Sequence, residues 1–116
     1  MNVRETLYEA AIAAARPMLG LASPFNNKIA RGLAGRRDTI HALQTWARSE
    51  RALDRPLIWL HAPSVGESLM AQAIIAELRE AAPHIQVAFT FFSPSAEHVA
   101  ARVGADVHGY MPWDVR

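Results

Sequence analysis

Cysteine is absent from all 116 residues. Disulfides and thiolate-bound metals are therefore excluded, and the chain is compatible with a reducing compartment. Long hydrophobic runs are missing too. The longest near the start, Ala10 to Ala15, falls far short of the ~20 residues that cross a bilayer. Met1-Asn2-Val3-Arg4-Glu5 is not a strongly basic leader, and Glu5 and Glu9 interrupt the apolar character of the first ten residues. Neither a classical signal peptide nor a transmembrane helix is expected. The five histidines lack metal-ligand spacing, so no metal site is expected. A glycine-rich dinucleotide fingerprint and a phosphate loop are both absent, which predicts no NAD, FAD or ATP site. Aromatic residues are few and are not interleaved with the arginines, which argues against nucleic acid as a partner.

What remains is a chain able to build a core, with 51% hydrophobic residues, and no longer than one domain. The net charge of +1 hides an uneven spread. Residues 1–55 carry nine Lys and Arg against five Asp and Glu, whereas residues 56–116 carry three against six. A basic front ahead of an acidic body points to an anionic partner for the front end. The division falls at Asp54-Arg55-Pro56, giving a helical segment over 1–55 and an α/β unit over 56–116.

In the front segment, Leu7, Ala11, Ala14, Met18 and Leu21 recur at helical spacing over 3–21. Pro17 is expected to kink that helix or end its first part. Asn26-Asn27 should cap a second helix over 27–34, ended by Gly35. Asp38 should cap a third over 39–53, with Ile40, Leu43, Trp46 and Ala47 on one face. Lys28, Arg31, Arg36 and Arg37 cluster beside the apolar stripe of 7–21. That is either an ordinary solvated face or a patch for an anionic membrane surface.

The second unit alternates strand and helix: strand 57–61, helix 68–81, strand 86–92, a helix from Pro94 to about Val103, and a weak strand 106–110. Such an order predicts an α/β fold with a Rossmann-like parallel sheet. The continuous apolar run Leu57 to Leu60 reads as a strand buried on both faces. Between that strand and the next helix lies His61-Ala62-Pro63-Ser64-Val65-Gly66-Glu67. Open α/β sheets place ligands at the carboxyl ends of their strands. Ser64 and Gly66 permit a tight turn and a close ligand approach. Glu67 falls near the helix start, where a carboxylate either complements the helix dipole or serves as a general base. His61 reads as a hydrogen-bonded structural histidine. Ser93 and Ser95, at the end of the second strand, either cap the following helix or bind sugar hydroxyls or phosphate.

The stretch His61-Ala62-x-Ser64-Val65-Gly66-Glu67 resembles the signature of the Kdo transferases, which move 3-deoxy-D-manno-octulosonic acid (Kdo) from CMP-Kdo onto a lipid A precursor. Thr90-Phe91-Phe92-Ser93-Pro94-Ser95 is similar to that family's second-strand segment, and Tyr110-Met111-Pro112-Trp113-Asp114 to its Leu-Pro-x-Asp segment. Asn27-Lys28 and Gly35-Arg36-Arg37 resemble a basic stretch ahead of the domain in some members. Pro63 stands where the family has a small or aliphatic residue, and Ala96 where a glycine commonly follows.

The resemblance implies part of the first domain of a two-domain GT-B glycosyltransferase, acting at the cytoplasmic side of the inner membrane. It assigns Glu67 as general base and places Ser64, Gly66, Ser93 and Ser95 about the acceptor. Asp114 matches a family aspartate and reads as a turn residue. CMP-Kdo would be held by a second domain, so these 116 residues alone are expected to be inactive. The alternatives are a non-catalytic α/β module that binds an anionic glycolipid or a protein partner, and a different glycosyltransferase of the same architecture.

Overall fold

The computed structural model describes residues 3–22 and 27–112. Asp114 lies outside them. The elements run α1 (Val3–Ala22), α2 (Asn27–Ser49), β1 (Leu57–Ala62), α3 (Val65–Ala81), β2 (Gln86–Phe91), a 3-10 turn (Pro94–Ala96), α4 (Glu97–Ala100) and β3 (Val107–Tyr110). The three strands form one parallel sheet in the order β1-β2-β3. The expected α/β class and parallel sheet are both present.

β2 is central and almost wholly buried, as its continuous apolar run requires. Its register sets Ile58 beside Val87, Leu60 beside Phe89 and Ala62 beside Phe91. Val87, Phe89 and Phe91 form the main core with Ala71 and Ile75 of α3, and with Val99, Ala100 and Val103. β1 departs from expectation. It alternates instead of being buried throughout, and Leu57 and Trp59 are 44% and 61% exposed. Among the described residues β1 pairs on one side only. Trp59 lies along the sheet, where its indole N–H donates to Thr90 Oγ1 at 2.9 Å.

The helical front also differs from expectation. Gly35 does not end a helix and Asp38 does not begin one, because α2 runs unbroken for 23 residues. The glycine serves packing instead. A methyl group at position 35 would stand 2.2 Å from two ring carbons of Tyr110. One turn on, buried Thr39 bonds back to the Gly35 carbonyl at 2.9 Å. A methyl group on Gly109 would come within 3.1 Å of Thr39 Cγ2. α2 thus packs against β3 through Gly35, which admits no side chain, and through Gly109, where a methyl group would fit only tightly. α1 continues through Pro17, although proline lacks the N–H for the bond to the preceding turn.

Two polar anchors complete the frame. Buried Gln86 accepts from the Ala52 N–H and donates to the Glu50 carbonyl, both at 2.8 Å, fixing the end of α2 to the start of β2. Asp106 accepts from the Val87 N–H at 2.7 Å and from Arg79 at 3.0 Å. Burial pushes its carboxyl up, but the Val87 N–H and the Arg79 guanidinium outweigh this and hold it below the ordinary carboxylate range.

Gly35→Ala should therefore lower stability by about 1–3 kcal/mol in denaturant unfolding, because overpacking outweighs the better helix propensity of alanine. Asp106→Asn should cost about 1–2 kcal/mol near neutral pH, since a charged acceptor is lost. A depressed carboxylate stabilises above its unfolded value of about 3.9 and ceases to do so as pH falls through its folded value. The unfolding curves of parent and variant should thus converge in acid.

Candidate functional site

The carboxyl edge of the sheet is built by two adjacent loops. The parallel register places Ala62 beside Phe91, and the Ser93 N–H donates to the Pro63 carbonyl at 2.9 Å. The stretches containing Ser64, Gly66 and Glu67 on one side and Ser93 on the other therefore meet. Met111 N–H reaches the Phe91 carbonyl at 2.7 Å, which draws the segment after β3 toward the same edge.

α3 begins at Val65, three residues earlier than its apolar spacing predicts, and the reason is a capping box. Ser64, in an extended conformation, is the N-cap, and its side chain accepts from the Glu67 N–H. Glu67 reaches back so that its Oε2 accepts the Ser64 N–H at 3.0 Å and the Ser64 hydroxyl. Orphan donors at the helix start are thus satisfied reciprocally. Among the described residues Glu67 Oε1 has no hydrogen-bond partner, and the side chain is exposed. Ser68, fully buried, donates to the Ser64 carbonyl at 2.7 Å and locks the turn from within.

Gly66 occupies the first turn of α3 instead of the loop before it. A Cβ added there meets nothing within 4 Å. In contrast to Gly35, protein packing gives no reason for a glycine at this position.

His61 ends exposed on the open face, with Nδ1 at 3.0 Å from Thr90 Oγ1. Thr90 is itself buried and also holds Trp59. Thr90 opens the segment that carries the second family resemblance, but its ties to Trp59 and His61 were not expected from sequence.

Ser93 caps the 3-10 turn, its Oγ accepting from the Ser95 N–H at 3.3 Å. The helix expected from Pro94 to Val103 is instead this turn followed by the four residues of α4. Ser95 is exposed beside it.

The basic residues separate. Lys28 and Arg37 are exposed. Arg31 pairs with Glu97 at 3.0 Å, a contact open to solvent. Tyr110 donates to the same Glu97 oxygen at 2.9 Å. That hydrogen bond first, and Arg31 second, hold the Glu97 carboxyl below its usual range. Burial and the Glu97 bond push the Tyr110 hydroxyl up to about 12. Arg36 corrects the expectation of a shared surface patch, because it is buried. It donates to the Gly32 carbonyl at 2.9 Å and the Phe92 carbonyl at 2.8 Å. Its guanidinium stacks 4.3 Å from the Phe92 ring centroid and 5.1 Å from that of Tyr110. A cation near two rings suits arginine, whose planar, weakly hydrated head tolerates burial.

Beside these loops, between the first half of α2 and Phe92, a cavity of about 280 Å³ opens. Ile29, Leu33, Phe92 and Pro94 supply apolar walls, while Lys28 and Arg36 border it.

Comparison with known proteins gives this edge a context. The sequence model of the family described as 3-deoxy-D-manno-octulosonic-acid transferase (kdotransferase) matches residues 34–116. The chain belongs to the Kdo transferase family. A curated relative, the 3-deoxy-D-manno-octulosonic acid transferase of Haemophilus influenzae, is 40% identical over 60 residues. The match covers 50% of this chain and 14% of that relative, so the chain spans only a small part of the relative's length. No solved structure matches. The resemblance carried by the Ser64-to-Glu67, Thr90-to-Ser95 and Tyr110-to-Asp114 segments is thus shown at family level, and all three lie inside the matched range. Kdo transferase similarity begins within α2, so Lys28 and Arg31 precede it whereas Arg36 and Arg37 fall inside it.

Gly66→Ala should raise the melting temperature slightly, by up to about 0.5–1 kcal/mol of added helix stability.

Proposed function

We propose that this chain is the acceptor-binding part of an inverting GT-B glycosyltransferase that transfers Kdo from CMP-Kdo to a lipid A precursor, with Glu67 as general base. The observation that carries the reading is the Glu67 carboxylate itself. It stands at the carboxyl edge of a parallel sheet, oriented through Oε2 by Ser64 and leaving Oε1 for a second partner. In the reaction the acceptor hydroxyl oxygen attacks the anomeric carbon of the donor sugar. The bond from that carbon to the CMP phosphate oxygen breaks, and CMP leaves with the electron pair. The acceptor's proton passes to Glu67 as the new bond forms.

Ser64 and Gly66 shape the approach of the acceptor in this reading, and Ser93 and Ser95 contact its hydroxyl or phosphate groups. Donor binding is assigned to a further domain, as the small share of the relative's length covered here supports. The membrane side of the reading rests on α1 and on the front of α2. Leu7 and Met18 are exposed on α1, and Lys28 and Arg37 are exposed on α2. No helix among the described residues is long and apolar enough to cross a membrane. An amphipathic, basic front matches peripheral attachment to an anionic surface. We place that surface on the cytoplasmic side of the inner membrane.

Glu67→Gln separates the capping role from the catalytic one, because glutamine also completes a capping box. In an active full-length enzyme the melting temperature should barely move while kcat falls by about 10²–10⁴. A glutamine variant that transfers Kdo at the parent rate would sink the assignment.

A further inference from the structure

Three side chains meet on the face of the sheet opposite Phe89 and Phe91. β1 alternates, so Ala62 joins the core with Ala71 and Ile75 while Trp59 and His61 turn to the other face. The register sets Thr90 of β2 between His61 and Gly109. Trp59 Nε1 lies 2.9 Å from Thr90 Oγ1, and His61 Nδ1 lies 3.0 Å from the same oxygen. Gly109, the neighbour on β3, has no side chain to offer.

The protons of this cluster follow from what each group can do. An indole N–H only donates, so Thr90 Oγ1 accepts from Trp59. The hydroxyl has one proton of its own, and Thr90 is only 1% exposed. A buried hydroxyl proton left without an acceptor is costly. Among the described residues the side-chain acceptor in reach is His61 Nδ1. Nδ1 therefore accepts, and the neutral ring carries its proton on Nε2. Nε2 has no hydrogen-bond partner among the described residues, and His61 is exposed at the carboxyl end of β1. Neither ring needs this arrangement for burial, because both are exposed and water would serve them. What Thr90 adds is orientation: it decides which nitrogen of His61 donates.

We propose that Thr90 is a positioning residue for sugar transfer, fixing His61 as an Nε2–H donor to the phosphate oxygen on which CMP departs. The inference rests on the reaction proposed above. There the breaking bond leaves its electron pair on that oxygen, where negative charge grows. With Nδ1 accepting and Nε2 protonated, the ring has no lone pair for a substrate proton. It complements Glu67 instead of competing with it as a base. No proton leaves the ring: CMP departs as an anion, and the fixed N–H steadies the developing charge.

Two measurements test the assignment. In the 116-residue chain at about pH 8, where free imidazoles are neutral, long-range nitrogen–proton NMR spectra of His61 should show one tautomer, with Nδ1 unprotonated. Thr90→Val should release a mixture of tautomers, and Thr90→Ser should restore the single one. In an active full-length enzyme, His61→Ala should lower kcat by about 10²–10³, the usual loss for one donor to a developing charge. KM for CMP-Kdo should stay nearly unchanged, since the bond is made in the transition state. Thr90→Val should lower kcat about tenfold, the low end of what losing a histidine's orienting partner costs at metal sites. Thr90→Ser should recover the rate. Thr90→Val combined with His61→Ala should be no slower than His61→Ala alone, because Thr90 acts through His61. Both tautomers in the parent chain, additive losses in the double variant, or a raised KM with kcat kept would each overturn the proposal. Failure of the Glu67 role appears elsewhere: Glu67→Gln would transfer at the parent rate while the coupling of Thr90 to His61 persisted.

Discussion

The close approach of α2 to β3 is the constraint on which the arrangement depends. Gly35 leaves no room for a side chain against Tyr110, and Gly109 stands in tight contact with Thr39. That proximity brings Arg36 over the Phe92 and Tyr110 rings and lets it bond the Phe92 carbonyl. The position of the Phe92–Ser93 backbone, and with it the second loop of the candidate site, is thus tied to a helix some sixty residues earlier. Tyr110 extends the linkage through Glu97 to Arg31. A helix that reads from sequence as a separate basic segment is in effect a wall of the sheet's carboxyl edge.

At that edge the proposed base is also a capping residue. A carboxylate that completes a capping box is held in place by the helix it starts, so its orientation is fixed before any ligand arrives. Preorganisation of this kind is what general-base chemistry requires, since a reacting group must already sit within hydrogen-bond reach. Capping and catalysis are therefore compatible here. The first explains why Glu67 sits where it does, and the second is what such a placement permits.

The sheet was legible because its signals are local. Leu57 to Leu60 and Val87 to Phe89 are apolar runs, and Pro83 closes α3 within two residues of its end. Ser64 and Glu67 stand at capping-box spacing, yet apolar periodicity alone set the helix start too late. What escaped was tertiary in origin. Gly35 looked like a helix stop because its partner, Tyr110, lies seventy-five positions away. Arg36 looked like a surface charge because nothing local says that two rings from distant segments will approach it. Gln86 and Thr90 are polar residues inside an apolar strand, and their partners come from other elements. The open face of β1 was missed for the same reason: burial of a strand depends on neighbours that its own residues do not specify.

That open face has a practical side. β1 bonds to β2 alone among the described residues, and Leu57 and Trp59 lie exposed along it. Leu69, Met70 and Ile74 of α3 are exposed as well. An uncapped strand edge with greasy neighbours is a template for pairing with other chains. Handled in concentrated solution without a covering partner, the polypeptide will tend to stick to itself, and its solubility will depend on that one flank more than on its near-neutral charge.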